Sequence, residues 1–357
     1  MDKNLVTMSL PAKPQSKTNI GLLIAPIIME IIGKKTNSKK MITLNTLHSY
    51  ISTQENVGVY LNDLKKTNIK YDCYYEDKKH TDELLLVLKK LIKSNIINEK
   101  EVNIFSCDCG KVEFIENGLC YGDGKLYSKK GDNLYCNFCN SKVICKKRKA
   151  LVLKYNKIGE NINVIPSFLS KEMDYFVELF SNQDILISKK RDTGNYILVN
   201  NNKYNIDIEF IWSQLYGIDN SNKIMIASNH QVYTMFIINM LNRYYNENNI
   251  LFLLTPYMDN NTKFDDFEKK FDELCTISKK LFLIYSLNWK KKTCSWNLGT
   301  YKKIKKLSEL EAKKLYNHLC SEMSYNDFNE LVEKINIFFT KEVNIDNNIK
   351  FIKKRIC

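Results

Sequence analysis

Short apolar runs alternate along this chain with stretches whose apolar residues are spaced as on a helix. That alternation limits its fold more than any other feature. "LVTMSL" at 5–10 leads to "IGLLIAPIIMEIIGKK" at 20–35, where apolar side chains recur at i, i+3 and i+4. "MITLNTL" at 41–47 is a second strand candidate. A helical pattern at 57–66 and a strongly amphipathic one at 82–93, with Thr81 as its expected N-cap, come next. The order returns after residue 220: "NKIMIASNH" feeds "QVYTMFIINMLNRYY", and "NILFLLTPY" follows. Strands interleaved with helices predict an α/β protein with a Rossmann-like parallel sheet, and place any ligand beyond the carboxyl ends of its strands.

The texture changes between residues 102 and 152. Short strand-like pieces, Gly-Asp turns and cysteines replace the helices, as an insertion would. "CDCG" at 107–110 and "CNFC" at 136–139 put Cys107, Cys109, Cys136 and Cys139 on two tight turns. Four thiolates that converge this way suit structural zinc, which favours a closed tetrahedral sulfur shell. No histidine lies nearby to suggest a catalytic site. The first pair has the rarer CxC spacing, so Cys120 or Cys145 is an alternative fourth ligand. A metal would organise about fifty residues that have little apolar core of their own.

Composition bounds the partners. The chain holds 54 Lys and Arg against 40 Asp and Glu, a net charge of +14. That imbalance favours polyanions such as RNA. No apolar run approaches the roughly 18 residues of a membrane span. With 11 cysteines arranged for metal rather than disulfides, a cytoplasmic protein with no membrane partner is expected.

In order and spacing, these segments resemble the catalytic domain of a class I aminoacyl-tRNA synthetase, most closely the methionyl-tRNA synthetase subgroup. "PAKPQSKTNIGL" at 11–22 stands where that family has its His-Ile-Gly-His turn. The cysteine turns stand where it has a zinc-bearing connective insertion. "ILISKKRDTGNYI" at 185–197, "IEFIWSQLYGI" at 208–218 and "IMIASNHQVYTMFIINML" at 224–241 are similar to its later segments. The resemblance covers roughly residues 5 to 300 and rests on order, since no motif is intact.

The resemblance implies an ATP and Mg²⁺ site, an amino-acid pocket and roles for single residues. Gly21 would let adenine approach the backbone. Asn19 and Leu22 replace the two histidines that steady the α-phosphate, and Lys13 and Lys17 beside the turn would compensate as phosphate donors. Ser228, Asn229 and His230 take the ribose-contacting positions. Trp212 is retained and Gln214 replaces the aspartate that holds the substrate amino group. Lys263 in "KFDDF" stands for the lysine-rich ATP loop, with Asp265 and Asp266 where Ser and Lys belong; "TISKK" at 276–280 is a rival match for that loop.

The expected organisation is a first catalytic half at 1–101, the cysteine insertion at 102–152 and a second half at 153–262. A helical, stem-contact-like region at 263–357 follows, too short for a full anticodon-binding domain. Two functions follow from the resemblance. One is a free-standing ligase that activates an amino-acid-type substrate for a non-standard acceptor. The other is a catalytically inactive pseudo-synthetase that binds tRNA, aminoacyl-tRNA or a carrier or partner protein.

Overall fold

The structure is a computed structural model. It describes residues 5–11, 18–45, 54–110, 112–115, 126–155, 162–189, 196–206, 223–245, 250–258, 262–289 and 291–321. Strands β1 (Leu5–Pro11), β2 (Lys39–Asn45) and β3 (Cys73–Glu76) alternate with helices α1 (Ile24–Lys35) and α2 (Gln54–Lys66). Helix α3 (Thr81–Lys93) closes this half. Thr81 is its first helical residue rather than its cap, because a 3₁₀ turn at Asp77–His80 runs directly into it.

The chain then forms β4 (Ile97–Ser106), β5 (Glu113–Ile115), β6 (Tyr127–Lys130), β7 (Asn133–Cys136) and β8 (Ile144–Lys154). Residues 102 and 152, the expected limits of the insertion, lie within β4 and β8, which pair antiparallel along ten residues. After β9 (Asn163–Ile165) and α4 (Ser170–Phe180) come β10 (Asp184–Leu186), β11 (Ser188–Lys189), β12 (Tyr196–Val199) and β13 (Asn202–Ile206). The nucleotide-fold pattern resumes with β14 (Lys223–Ser228), α5 (Val232–Tyr245) and β15 (Ile250–Thr255).

The central sheet has six parallel strands in the order β3-β2-β1-β14-β15-β9. Period-two alternation gives each strand two apolar faces. Val6, Met8, Ile224 and Ile226 face α1 and α2, whereas Met225, Ala227, Phe252 and Leu254 face α4 and α5. The direction of winding reverses between β1 and β14, which makes the crevice above Pro11 and Ser228 the place where such a sheet receives a ligand.

Beyond a short pair of strands, β16 (Tyr257–Met258) and β17 (Thr293–Cys294), the C-terminal helices are α6 (Phe264–Lys270), α7 (Thr276–Tyr285), α8 (Leu298–Lys305) and α9 (Glu309–Ser321). Phe267, Phe282, Ile304, Leu315 and Tyr316 join the same apolar cluster as Ile24, Ile28 and Ile31. Through residue 321, this helical region is therefore continuous with one face of the sheet. Among the described residues no helix is long and apolar enough to cross a membrane.

Candidate functional site

Asn19 has extended backbone, with φ −75° and ψ 131°, and starts the 3₁₀ turn Ile20–Leu23 that becomes α1. A helix start normally leaves its first N–H groups without intrahelical partners, and these are the groups that hold phosphate. Here they are taken. Ile20 N–H donates to the Thr262 carbonyl at 3.1 Å, and Leu22 N–H to the Asn19 carbonyl at 2.9 Å. Gly21 N–H donates to the Asn19 side-chain oxygen at 3.2 Å. Phe264 N–H in turn donates to the Thr18 carbonyl at 2.9 Å, so Asn19 and Lys263 face each other in an antiparallel bridge. The two turns that sequence likeness assigned separately to nucleotide binding thus meet, backbone to backbone.

The adjacent surface is filled as well. A Cβ placed on Gly21 would sit 3.5 Å from Met258 Cβ and 3.7 Å from the Met258 carbonyl oxygen, both ordinary contacts. Met258 itself is buried. At the end of β14, the Ser228 N–H donates to the Gln231 side chain at 3.1 Å. Asn229 donates its amide to the Lys292 carbonyl at 2.5 Å, and Tyr257 N–H reaches the same oxygen at 2.8 Å. Tyr257, Met258, Thr262 and Phe264, together with residues 291–294, therefore lie across the crevice. One buried acceptor, the Asn229 side-chain oxygen, has no hydrogen-bond partner among the described residues.

Carboxylates stand beside the cradle. Asp265 and Asp266 occupy the first turn of α6. Burial pushes the Asp63 carboxyl above the usual carboxylate range; Thr18 and Lys66 partly offset the shift, and the charges of Asp265 and Glu268 add to it. Carboxylates beside a triphosphate repel it. The rival lysine loop is committed elsewhere: Lys280 is buried, 2.7 Å from Glu30 Oε2 and 2.7 Å from the Asn68 carbonyl. Tyr316 and Lys34 also contact the Glu30 carboxylate. Lys13, Lys17, Trp212 and Gln214 lie outside the described residues, as does the side chain of His230, whose backbone belongs to the 3₁₀ turn Asn229–Gln231. Sequence reasoning missed Met258, Thr262 and Lys292, because a residue that covers a turn from a distant segment carries no local motif.

The cysteine turns form a second site. The sulfurs of Cys107, Cys109, Cys136 and Cys139 all lie within 4.8 Å of one another. Cys107 and Cys109 are 3.4 Å apart, Cys109 and Cys136 3.7 Å. Zinc–thiolate bonds of about 2.3 Å in a tetrahedron require sulfurs about 3.8 Å apart. The donor set therefore fits zinc, and the four thiolates could serve as its ligands. Gly110 (φ 67°) and Asn140 (φ 56°) take left-handed conformations that close the two turns. The Val112 and Phe138 N–H groups point at the Cys107 and Cys136 sulfurs at 3.3 and 3.4 Å, positions from which they would stabilise thiolate charge.

The Ser141 hydroxyl, 3.1 Å away, and its backbone lower the exposed Cys139 thiol to about 6, whereas burial raises Cys136. The expected alternative Cys145 is exposed on β8 opposite Phe105 and outside the cluster. Ladder pairing fixes it there. Cys120 lies outside the described residues.

No protein-family model matches the chain, and no curated protein does. Solved structures do. Methionyl-tRNA synthetase of Mycobacterium tuberculosis bound by methionyl-adenylate matches with a TM-score of 0.65 and 11% identity, over 88% of this chain and 71% of that one. The apo form of the same enzyme matches at 0.62 and 10%, over 88% and 69%. At such identities the likeness is one of fold: the Rossmann-like class I synthetase architecture, with a four-cysteine cluster able to hold metal.

Proposed function

We propose that this chain is a pseudo-synthetase: a protein of the methionyl-tRNA synthetase fold that binds tRNA-type RNA and does not adenylate an amino acid. The observation that carries the reading is the closed phosphate cradle. The three N–H groups that open the helix at Ile20 are satisfied by Thr262 and Asn19, and Met258 covers Gly21. Loss of a transition-state donor costs about 3–4 kcal/mol. Here Asn19 is occupied as a cap, Leu22 has no side-chain donor, and carboxylates stand beside Lys263. A net charge of +14 supports an RNA partner.

One observation favours the ligase reading. The unpartnered Asn229 side-chain oxygen stands at a ribose-contacting position and could accept a hydrogen bond from a sugar hydroxyl. That reading requires Met258 and Thr262 to lift from the helix start.

Thermal-shift titration with ATP·Mg²⁺ and each amino acid, together with ATP–pyrophosphate exchange, separates the two. We expect no rise in Tm and no exchange, alongside tRNA binding that weakens steeply with salt. A Tm rise of several degrees, or exchange with any amino acid, would refute the silent-pocket reading.

A further inference from the structure

The RNA-binding reading leaves open where the contact is made, and the positive surface is not spread evenly. Between residues 126 and 149 the chain has seven Lys or Arg and a single acid, Asp132. Where β8 passes the β11–β13 sheet there is an open groove of about 380 Å³, lined by Arg148, Lys149, Lys189 and Lys203 with the amides of Asn202 and Asn205. Among the described residues, two carboxylates pair with cations of this groove. Glu113 is buried and pairs with Arg148. Glu99 accepts from Tyr204 at 2.5 Å, Asn202 at 2.9 Å and Asn200 at 3.3 Å, with Lys149 at 3.8 Å. These hydrogen bonds hold Glu99 below the usual carboxylate range, Tyr204 contributing most. Both acids are thus occupied in fixing the groove wall.

Aromatic surface adjoins the cations. Tyr196, on the edge strand β12, is 53% exposed and has the Lys203 ammonium 4.4 Å from its ring centroid. Leu198, two residues along the same face, is 64% exposed. Cations that track a backbone beside a ring on which an unpaired base can stack are the chemistry of single-stranded nucleic-acid recognition. A duplex has no free base face to offer Tyr196. An acidic peptide would use the cations and leave the aromatic surface idle.

We propose that the groove between β8 and the β11–β13 sheet, flanked by Tyr196, binds a single-stranded RNA segment through phosphate contacts from Lys189 and Lys203 and base stacking on Tyr196. The proposal rests on the RNA-binding reading above and assigns its surface.

The test is fluorescence anisotropy on the zinc-loaded full chain. The probes are a single-stranded RNA of about twelve nucleotides, a duplex RNA of similar length and polyglutamate, over a salt series. Lys189→Ala/Lys203→Ala should weaken single-strand binding about tenfold and flatten the salt slope by roughly 0.7 per cation removed. Tyr196→Ala should weaken single-strand binding at least about fivefold and leave duplex binding unchanged. Lys203→Ala alone, fully on the surface, should move in the same direction. Variants that keep the wild-type melting curve and bind as the wild type does would overturn the groove assignment and leave RNA binding itself standing. Polyglutamate that competes as well as RNA would overturn the ligand class. Failure of the wild type to bind any RNA at low salt would overturn both this proposal and the RNA reading.

Discussion

The two ends of this molecule treat their polar donors in opposite ways. At the carboxyl edge of the parallel sheet, the backbone donors of the helix start are consumed by Thr262 and Asn19, and an apolar side chain covers the glycine. In the cysteine lobe, four thiols are drawn to within 4.8 Å of one another with N–H groups aimed at the sulfurs, an arrangement that makes sense with a cation at its centre. The first is a site filled from inside the chain. The second is prepared for something from outside. The contrast teaches that persistence of a fold around a pocket says little about the pocket, whereas a converged donor set retains chemical meaning at any sequence identity.

The strongest way to sharpen that contrast is to disrupt the lobe. Its own apolar cluster is small, with Val112, Phe114, Tyr127 and Val143 as the main buried members beside Cys107 and Cys136. Cys136→Ser, or prolonged chelation, should abolish bound zinc in elemental analysis. Limited proteolysis should then cut within 107–143 while the central sheet keeps its circular dichroism, because a metal bound there would supply the folding free energy. Zinc-free protein with an unchanged cleavage pattern would refute a structural metal.

Next in size is the buried pair under the C-terminal helices. Glu30→Ala leaves Lys280 without its partner in the core and should cost about 3–5 kcal/mol in chemical denaturation. Glu30→Leu/Lys280→Met should recover most of that loss. A single variant within about 1 kcal/mol of wild type would show the pair to be peripheral.

The same group gives a smaller, pH-dependent effect. Burial acts to raise the Glu30 carboxyl, but Lys280 and Lys34 outweigh it and hold the group below its ordinary value of 4.5. A depressed carboxylate stabilises the fold above the unfolded value. That contribution is lost as pH falls through the folded one. Stability should therefore decline below pH 4.5, and the decline should be shallower in Glu30→Leu/Lys280→Met.

The smallest effects lie in the closed cradle. Asn19→Ala removes a cap and should cost about 0.5–2 kcal/mol. Gly21→Ala, whose new methyl would meet Met258 at ordinary contact distance, should change stability by less than about 1 kcal/mol. A large loss of ATP binding in Gly21→Ala would instead mean that nucleotide still approaches this backbone, and the comparison of the two sites would collapse.

Local patterns carried most of the architecture. Apolar period and run length located β1, α1, β2, β14, α5 and β15 and the parallel sheet they form, since burial on one or both faces writes itself directly into residue spacing. The cysteine pairs named all four thiols of the cluster, because two tight turns leave a CxC and a CxxC few places to point. The Asn19 and Lys263 turns were both marked as nucleotide-binding by likeness, yet nothing in either segment foretold that they would bond to each other.

The sequence by itself determined the class of fold, the metal-competent thiols and the excess of positive charge, all of which depend on residues close in the chain or on simple sums. Only the tertiary structure decided that Thr262 and Met258 close the helix start, that Lys280 belongs to Glu30, and that Lys189 and Lys203 share a groove with Arg148. Each of these contacts joins segments far apart in sequence, so its energy depends on how sheet and helices pack, and no local spacing encodes it.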